Sequence, residues 1–200
     1  GDSGVTTLDG QVEWLQNNAG TVNLLVVAAM TILLVNRTPA EVALKAPTPL
    51  KEHEWLRQLE GVWETDAEAI LEPGKPPVKC KGTETVRSLG GFWMVGEMKN
   101  EMMGVTMTGV MTIGYDPQKK KYVGTWVCSM CDLMFKYEGT VEGKVLTLET
   151  EGPNPLTGKI VKMRDSNELK DKDHKVMTST ILGEDGKWTP FMTLHARRKK

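Results

Sequence analysis

Phe92-Trp-Met-Val-Gly-Glu-Met-Lys-Asn-Glu-Met102 and, two residues later, Val105-Thr-Met-Thr-Gly-Val-Met-Thr-Ile113 carry the pattern that decides the fold. In an extended chain successive side chains alternate between two faces. Phe92, Met94, Gly96, Met98 and Met102 therefore share one face of the first stretch, and Glu97, Lys99 and Glu101 the other. In the second, Val105, Met107, Gly109, Met111 and Ile113 alternate with Thr106, Thr108 and Thr112. A helix would need spacings of three and four, so period two at both places marks half-buried strands. Each strand offers an apolar, Met-rich strip interrupted by glycines.

The same period extends in both directions. It predicts strands at about 62–71, 78–89, 92–102, 105–115, 121–130, 133–141, 144–151, 159–169, 174–182 and 187–198. Met130, Met134, Met163, Met177 and Met192 fall within them. Turn chemistry separates them: Gly90-Gly91, Asp116-Pro117, Glu142-Gly143, Pro153-Asn154-Pro155 and Asp185-Gly186. Before the first strand, Trp55, Leu56 and Leu59 recur at helical spacing after Thr48-Pro49, which predicts a short helix. Ten consecutive strands with hairpin-length links suggest an up-and-down antiparallel sheet. A sheet that long curls, and closing it removes its unpaired edges. The expectation is mainly β: one antiparallel barrel of about ten strands with a short N-terminal helix. A twisted two-sheet sandwich is the rival.

The first 50 residues differ. Trp14 to Asn36 is an uncharged run of 23 residues with an apolar heart at Leu24–Val35. As a helix it would be about 34 Å long, enough to cross a hydrocarbon core, although the heart itself is short. Only acids precede it, which argues against a secretory signal. If it inserts, Arg37 and Lys45 favour a cytoplasmic C-terminal side. A Pro-containing linker, Pro39 to Pro49, follows. The domains expected are an extension, 1–50, with a spanning or packing helix at about 14–36, and a barrel, 51–200. The barrel is then membrane-associated on the cytoplasmic side, or cytoplasmic where the segment does not insert. Contact with membrane or a membrane protein would run through 22–35.

The chain has 25 basic and 26 acidic residues. Near-neutrality argues against a nucleic-acid partner, which would call for a basic excess. The 12 methionines outnumber the three Phe and three Tyr, and thioethers make an adaptable wall or filling.

Gly61-Val-Trp63 after a short helix resembles the opening signature of lipocalin-like (calycin) barrels. Those proteins lay a basic side chain from the last strand across the Trp, which implies that role for Arg197 or Arg198. Further motifs carry a closer likeness. They are Glu52-His53-Glu-Trp55-Leu, Gly82-Thr-Glu84-Thr-Val-Arg87-Ser-Leu-Gly90-Gly91-Phe-Trp93, Met111-Thr-Ile-Gly114-Tyr115-Asp116-Pro117, Gly124-Thr-Trp126, Tyr137-Glu-Gly139 and Leu146-Thr-Leu-Glu149-Thr. With these, residues 51–200 resemble an uncharacterised bacterial domain family of unknown function. The resemblance implies a calycin-like fold and a small-ligand cavity, without an activity.

Chemical motifs are few. Cys128-Ser-Met-Cys131 lacks the helix N-terminus of a redox pair, and zinc would need Cys80 and a histidine to join it. Glu64, Asp66 and Glu68 repeat at strand period on a solvent face. His53 and His174 read as solvated. His195 groups with Phe191, Thr193 and Arg197. Were that face inward, it could touch a ligand, or ligate haem as histidine does in some ten-stranded calycin-like barrels. The face with Trp188, Met192 and Leu194 is the more apolar, so no cofactor is expected. Arg87, Glu97, Arg164, Asp165 and Glu168 lie within regular strands. Arg164 and Asp165 alternate, so one turns inward, and an inward Arg would suit a ligand with an acidic head.

No catalytic or metal-ligating set stands out, and a non-enzymatic barrel is expected. It would bind a small apolar or amphipathic ligand, with Met94, Met98, Met107, Met111, Arg164 and His195 as candidate contacts. The base would be Trp63 with Arg197 or Arg198. The alternative is a membrane-anchored accessory subunit whose filled barrel docks to membrane-protein partners.

Overall fold

The computed structural model describes residues 47–72, 74–155 and 157–200. The expected 14–36 helix and its 22–35 contact surface lie outside them. Among the described residues no helix is long and apolar enough to cross a membrane.

Among the described residues one helix, α1 (Lys51–Leu56), runs into a 3₁₀ turn (Arg57–Leu59). Ten strands follow: β1 (Gly61–Ala69), β2 (Val78–Leu89), β3 (Trp93–Met102), β4 (Val105–Asp116), β5 (Lys121–Cys128), β6 (Phe135–Glu142), β7 (Val145–Pro153), β8 (Ile160–Asp171), β9 (His174–Leu182) and β10 (Trp188–Arg198). Each pairs antiparallel with its neighbours in sequence, and β1 pairs with β10, so the sheet is a closed barrel rather than a sandwich. Closure is in register: Trp63 faces Glu84 on one side and Arg198 on the other. Met130 and Met134 are the exception to the expected strands. They sit in the β5–β6 link, where Cys131 N–H closes a turn onto the Cys128 carbonyl.

Turn chemistry places the hairpins. At the β3–β4 link Met103 (φ 51°) and Gly104 (φ 79°) both take positive φ, the two-residue geometry that matches strand twist. Because the barrel is up-and-down, alternate links share an end. The links at 70–77, 103–104, 129–134, 154–159 and 183–187 form one rim, and α1 lies at the other end.

That helix closes its end of the barrel. Leu56 and Leu59 are buried against Trp63, Met94, Ile113, Leu146 and Leu169. The Trp55 indole donates to the Gly143 carbonyl (3.1 Å), and the Tyr122 hydroxyl donates to the Glu52 carbonyl (3.1 Å). His53 is buried rather than solvated. Its Nδ1 accepts the Leu50 N–H (2.9 Å), and its ring meets the edges of Phe92 and Tyr115. A free N–H at a helix start finds a partner in this way, which the sequence spacing alone did not disclose.

Glycines admit close approaches within the wall. A Cβ on Gly139 would collide with the Thr147 carbonyl oxygen across the β6–β7 pair, where only backbone can yield. Gly139→Ala is expected to lower stability by about 1–3 kcal/mol. Urea denaturation checks this; an unchanged midpoint would contradict the packing. Beyond Glu138↔Glu149 the β6 and β7 ladders separate, and the Phe135 ring crosses Gly152 in the wedge.

Candidate functional site

The barrel interior has two halves with different fillings. Nearest α1, Trp63 is fully buried, and its indole N–H donates to the Leu59 carbonyl (2.9 Å). The Arg198 guanidinium lies 4.2 Å from the ring centre and is held by the carbonyls of Lys172, Gln58 and Glu60. Arg198, not Arg197, is thus the base cation; Arg197 is exposed on the outer face. A second cation was not foreseen. The Lys175 ammonium sits 4.8 Å from the Trp63 ring and 2.6 Å from the Glu84 carboxylate. Both side chains are buried (7% and 14% exposed), so this ion pair is shielded from solvent. Beside it is a cavity of about 30 Å³, lined by Glu84, Val86, Met94, Met111, Asn167 and Lys175 among others. That is room for about two waters, and this half of the barrel is filled.

The next layer toward the open rim is polar. Thr65 and Asn100 are buried and hydrogen-bonded to each other (3.0 Å). Asp165, on β8, accepts hydrogen bonds from the Tyr137 hydroxyl (2.9 Å) and the Ser179 hydroxyl (2.5 Å). Burial pushes its carboxyl above the usual carboxylate range, and the two hydroxyls only partly oppose this. Burial, and then the nearby Asp165, push the Tyr137 phenol upward in turn.

A raised folded-state pKa means that the native protein holds this proton more tightly than the unfolded chain. The charged Asp165 therefore costs stability at neutral pH. That cost lifts as pH falls through the folded value and is gone below the unfolded one. Asp165→Asn is expected to raise the denaturation midpoint at pH 7 and to remove this group's share of the slope between pH 7 and 4. A variant midpoint that stays parallel to wild type would contradict it.

Thioethers line the wall on both sides of this layer. Met94, Met98, Met107 and Met111 all lie on the inward face, as their alternation indicated. Met94 is buried. Met98, Met102, Met107 and Met111, with Met163, Met177 and Met192 from β8 to β10, are only half-buried although they point inward. The rim exposes apolar side chains among its charged ones: Met103 (80% exposed), Ile160 (67%), Val105, Met130 and Met134 stand in solvent.

Two expected contacts lie elsewhere. Arg164 faces outward, where it forks onto Glu149 (2.6 and 3.0 Å) and covers Trp188. Its neighbour Asp165 takes the inward position, because β8 places Met163, Asp165, Asn167 and Leu169 on the core side. His195 is exposed on the outer face and stacks on His174, with ring nitrogens 3.3 Å apart. Burial, together with Arg197 and His195, holds the His174 imidazole below its usual value. The outer position removes His195 as a contact to anything inside the barrel, haem included.

The Cys128 and Cys131 thiols are 2.7 Å apart, and Cys131 is pushed up to about 11 by burial and by its partner. Such a thiol is weakly ionised at neutral pH, so it lacks the lowered pKa of a redox cysteine. Among the described residues no three His, Cys, Asp or Glu side chains gather to hold a metal. Glu64, Asp66 and Glu68 face solvent, and Asp66 and Glu68 pair with Lys81 and Lys79.

Lys175, Glu84, Tyr137 and Ser179 were missed by the sequence reading. A signal existed, since Lys175, Met177, Ser179 and Ile181 share one face of β9. It was masked by the charged run Lys170–Lys175, which reads as a turn.

The helix and all ten strands fall within residues 48–198, which match the family model described as Protein of unknown function (DUF1579). The chain belongs to the DUF1579 family. Among solved structures this DUF1579 barrel is similar to Rv2717c from M. tuberculosis, with a TM-score of 0.55 and 11% identity over 76% of this chain and 100% of that one. It is also similar to the S-type phycobiliprotein lyase CPES from Guillardia theta. There the TM-score is 0.51 and the identity 10%, over 74% of this chain and 92% of that one. At these identities the likeness is one of fold: a lipocalin-like, ten-stranded barrel. No curated protein sequence matches.

Proposed function

We propose that this DUF1579 barrel is a non-enzymatic binder of a small apolar or amphipathic molecule, received through the rim opposite α1. One observation carries the reading. Four methionines that point inward at or above the polar layer, Met102, Met107, Met163 and Met192, are only half-buried, so the rim half is not filled to native density by the protein itself. Thioethers adapt to irregular apolar shapes, and the exposed rim of Met103, Val105, Met130, Met134 and Ile160 suits the passage of such a molecule. Trp126 projects inward over Gly109 within the same half and serves as a reporter.

The test is a titration of the full chain with 12-bromododecanol, whose bromine quenches nearby indole fluorescence. Saturable quenching at one equivalent is expected. Replacing Trp126 by Phe should remove most of it. Linear, non-saturating quenching, or quenching unaffected by that replacement, would count against the proposal.

A second reading is that of an accessory subunit with a filled barrel. The small cavity beside Lys175 favours it, and so would failure of the titration.

A further inference from the structure

The sign of the ligand's head group follows from the charges inside the barrel, granted the binding reading above. Among the described residues four charged side chains reach the interior from the strand walls: Glu84 on β2, Asp165 on β8, Lys175 on β9 and Arg198 on β10. Glu84 and Lys175 satisfy each other at 2.6 Å, and Arg198 pairs with Asp173 at 3.5 Å. Asp165 has no such partner. None of the ion pairs among the described residues includes it, and its two oxygens receive only the neutral hydroxyls of Tyr137 and Ser179. A carboxylate has about four acceptor positions, so two hydroxyl donors leave acceptor capacity on the group. The wall that brings Asp165 inward also sends Arg164 outward to Glu149. Asp165 is therefore the interior acid without a cation.

We propose that Asp165 is the anchor for a cationic head group, and that the ligand is an amphiphile carrying a protonated amine. Its ammonium would take the free acceptor capacity of Asp165, with Tyr137 and Ser179 fixing the carboxylate. Its apolar part would lie along Met163, Met102 and Met107 toward the rim. The position is about 17 Å along β8 from the rim residue Ile160, so the head is deep and the tail leads outward. Burial already disfavours the charged carboxylate, and an adjacent ammonium would restore it. An anionic head, which an inward Arg164 would have suited, meets an uncompensated acid instead.

Three probes of one chain length decide the matter: dodecylammonium, dodecanoate and dodecanol, each titrated below its micelle concentration into the full chain at pH 7. The chain's net charge of −1 provides almost no bulk bias between the two ions. Dodecylammonium is expected to bind at least about tenfold tighter than dodecanoate. Asp165→Asn should abolish that preference while leaving dodecanol affinity within about twofold. Equal binding of the two ions, tighter binding of dodecanoate, or a preference that survives Asp165→Asn would overturn the head-group assignment and leave the binding reading standing. If dodecanol also fails to bind, the binding reading itself falls and this inference falls with it. Should Asp165→Asn not fold, the order of the three probes on the wild-type chain still decides.

Discussion

Lys175→Met is expected to lower the unfolding free energy by about 3–5 kcal/mol, because it leaves a buried carboxylate without its cation. The side chain of Glu84 is only 14% exposed and has its ammonium at 2.6 Å. Removing Lys175 also withdraws the charge from the Trp63 ring. The double variant Lys175→Met, Glu84→Met should recover most of the loss, since apolar groups of similar volume often replace a buried pair at little cost. Chemical denaturation of the wild type, both single variants and the double variant measures the coupling. If Lys175→Met alone matches wild type, the Glu84–Lys175 pair is not a buried one.

Trp63→Ala should be as damaging, by about 3–5 kcal/mol. The ring is fully buried where Leu56 and Leu59 meet the wall, it ties the 3₁₀ turn through the Leu59 carbonyl, and it carries Arg198 on its face. A domain of this size has about 5–15 kcal/mol in all, so the variant sits near the folding threshold. Arg198→Ala should cost less, about 0.5–2 kcal/mol, since it leaves the ring buried. The same denaturation series separates the two. An Arg198→Ala loss equal to that of Trp63→Ala would mean that the guanidinium, rather than the indole, holds the base together.

Both residues mark how far the sequence could be read. Trp63 was legible because Gly61-Val-Trp63 and the terminal arginines form a recognisable pattern. The choice between Arg197 and Arg198 was not, because it depends on the β1–β10 register that pairs Trp63 with Arg198. Glu84 was visible only as one strand residue among several. Its partner lies 91 residues away, and nothing local announces that contact. The inward methionines of β3 and β4 were read correctly, whereas Met130 and Met134 were placed in strands and belong to the rim. Alternation cannot see where a strand yields to a turn closed by Cys131.

The amino-acid sequence by itself determined the ten strands, most of their bounds and the two faces of each, since period two is a property of neighbouring residues. Tertiary structure alone decided that β1 closes on β10, and which of two alternating faces becomes the inside. For β8 that choice is the whole question of the site. Arg164 and Asp165 must point apart in any strand, but only the packing of Met163, Asn167 and Leu169 against their neighbours turns the acid inward and sends the base to Glu149. Burial is a sum over contacts distant in sequence, and the free energy of placing a charge depends on what those contacts supply.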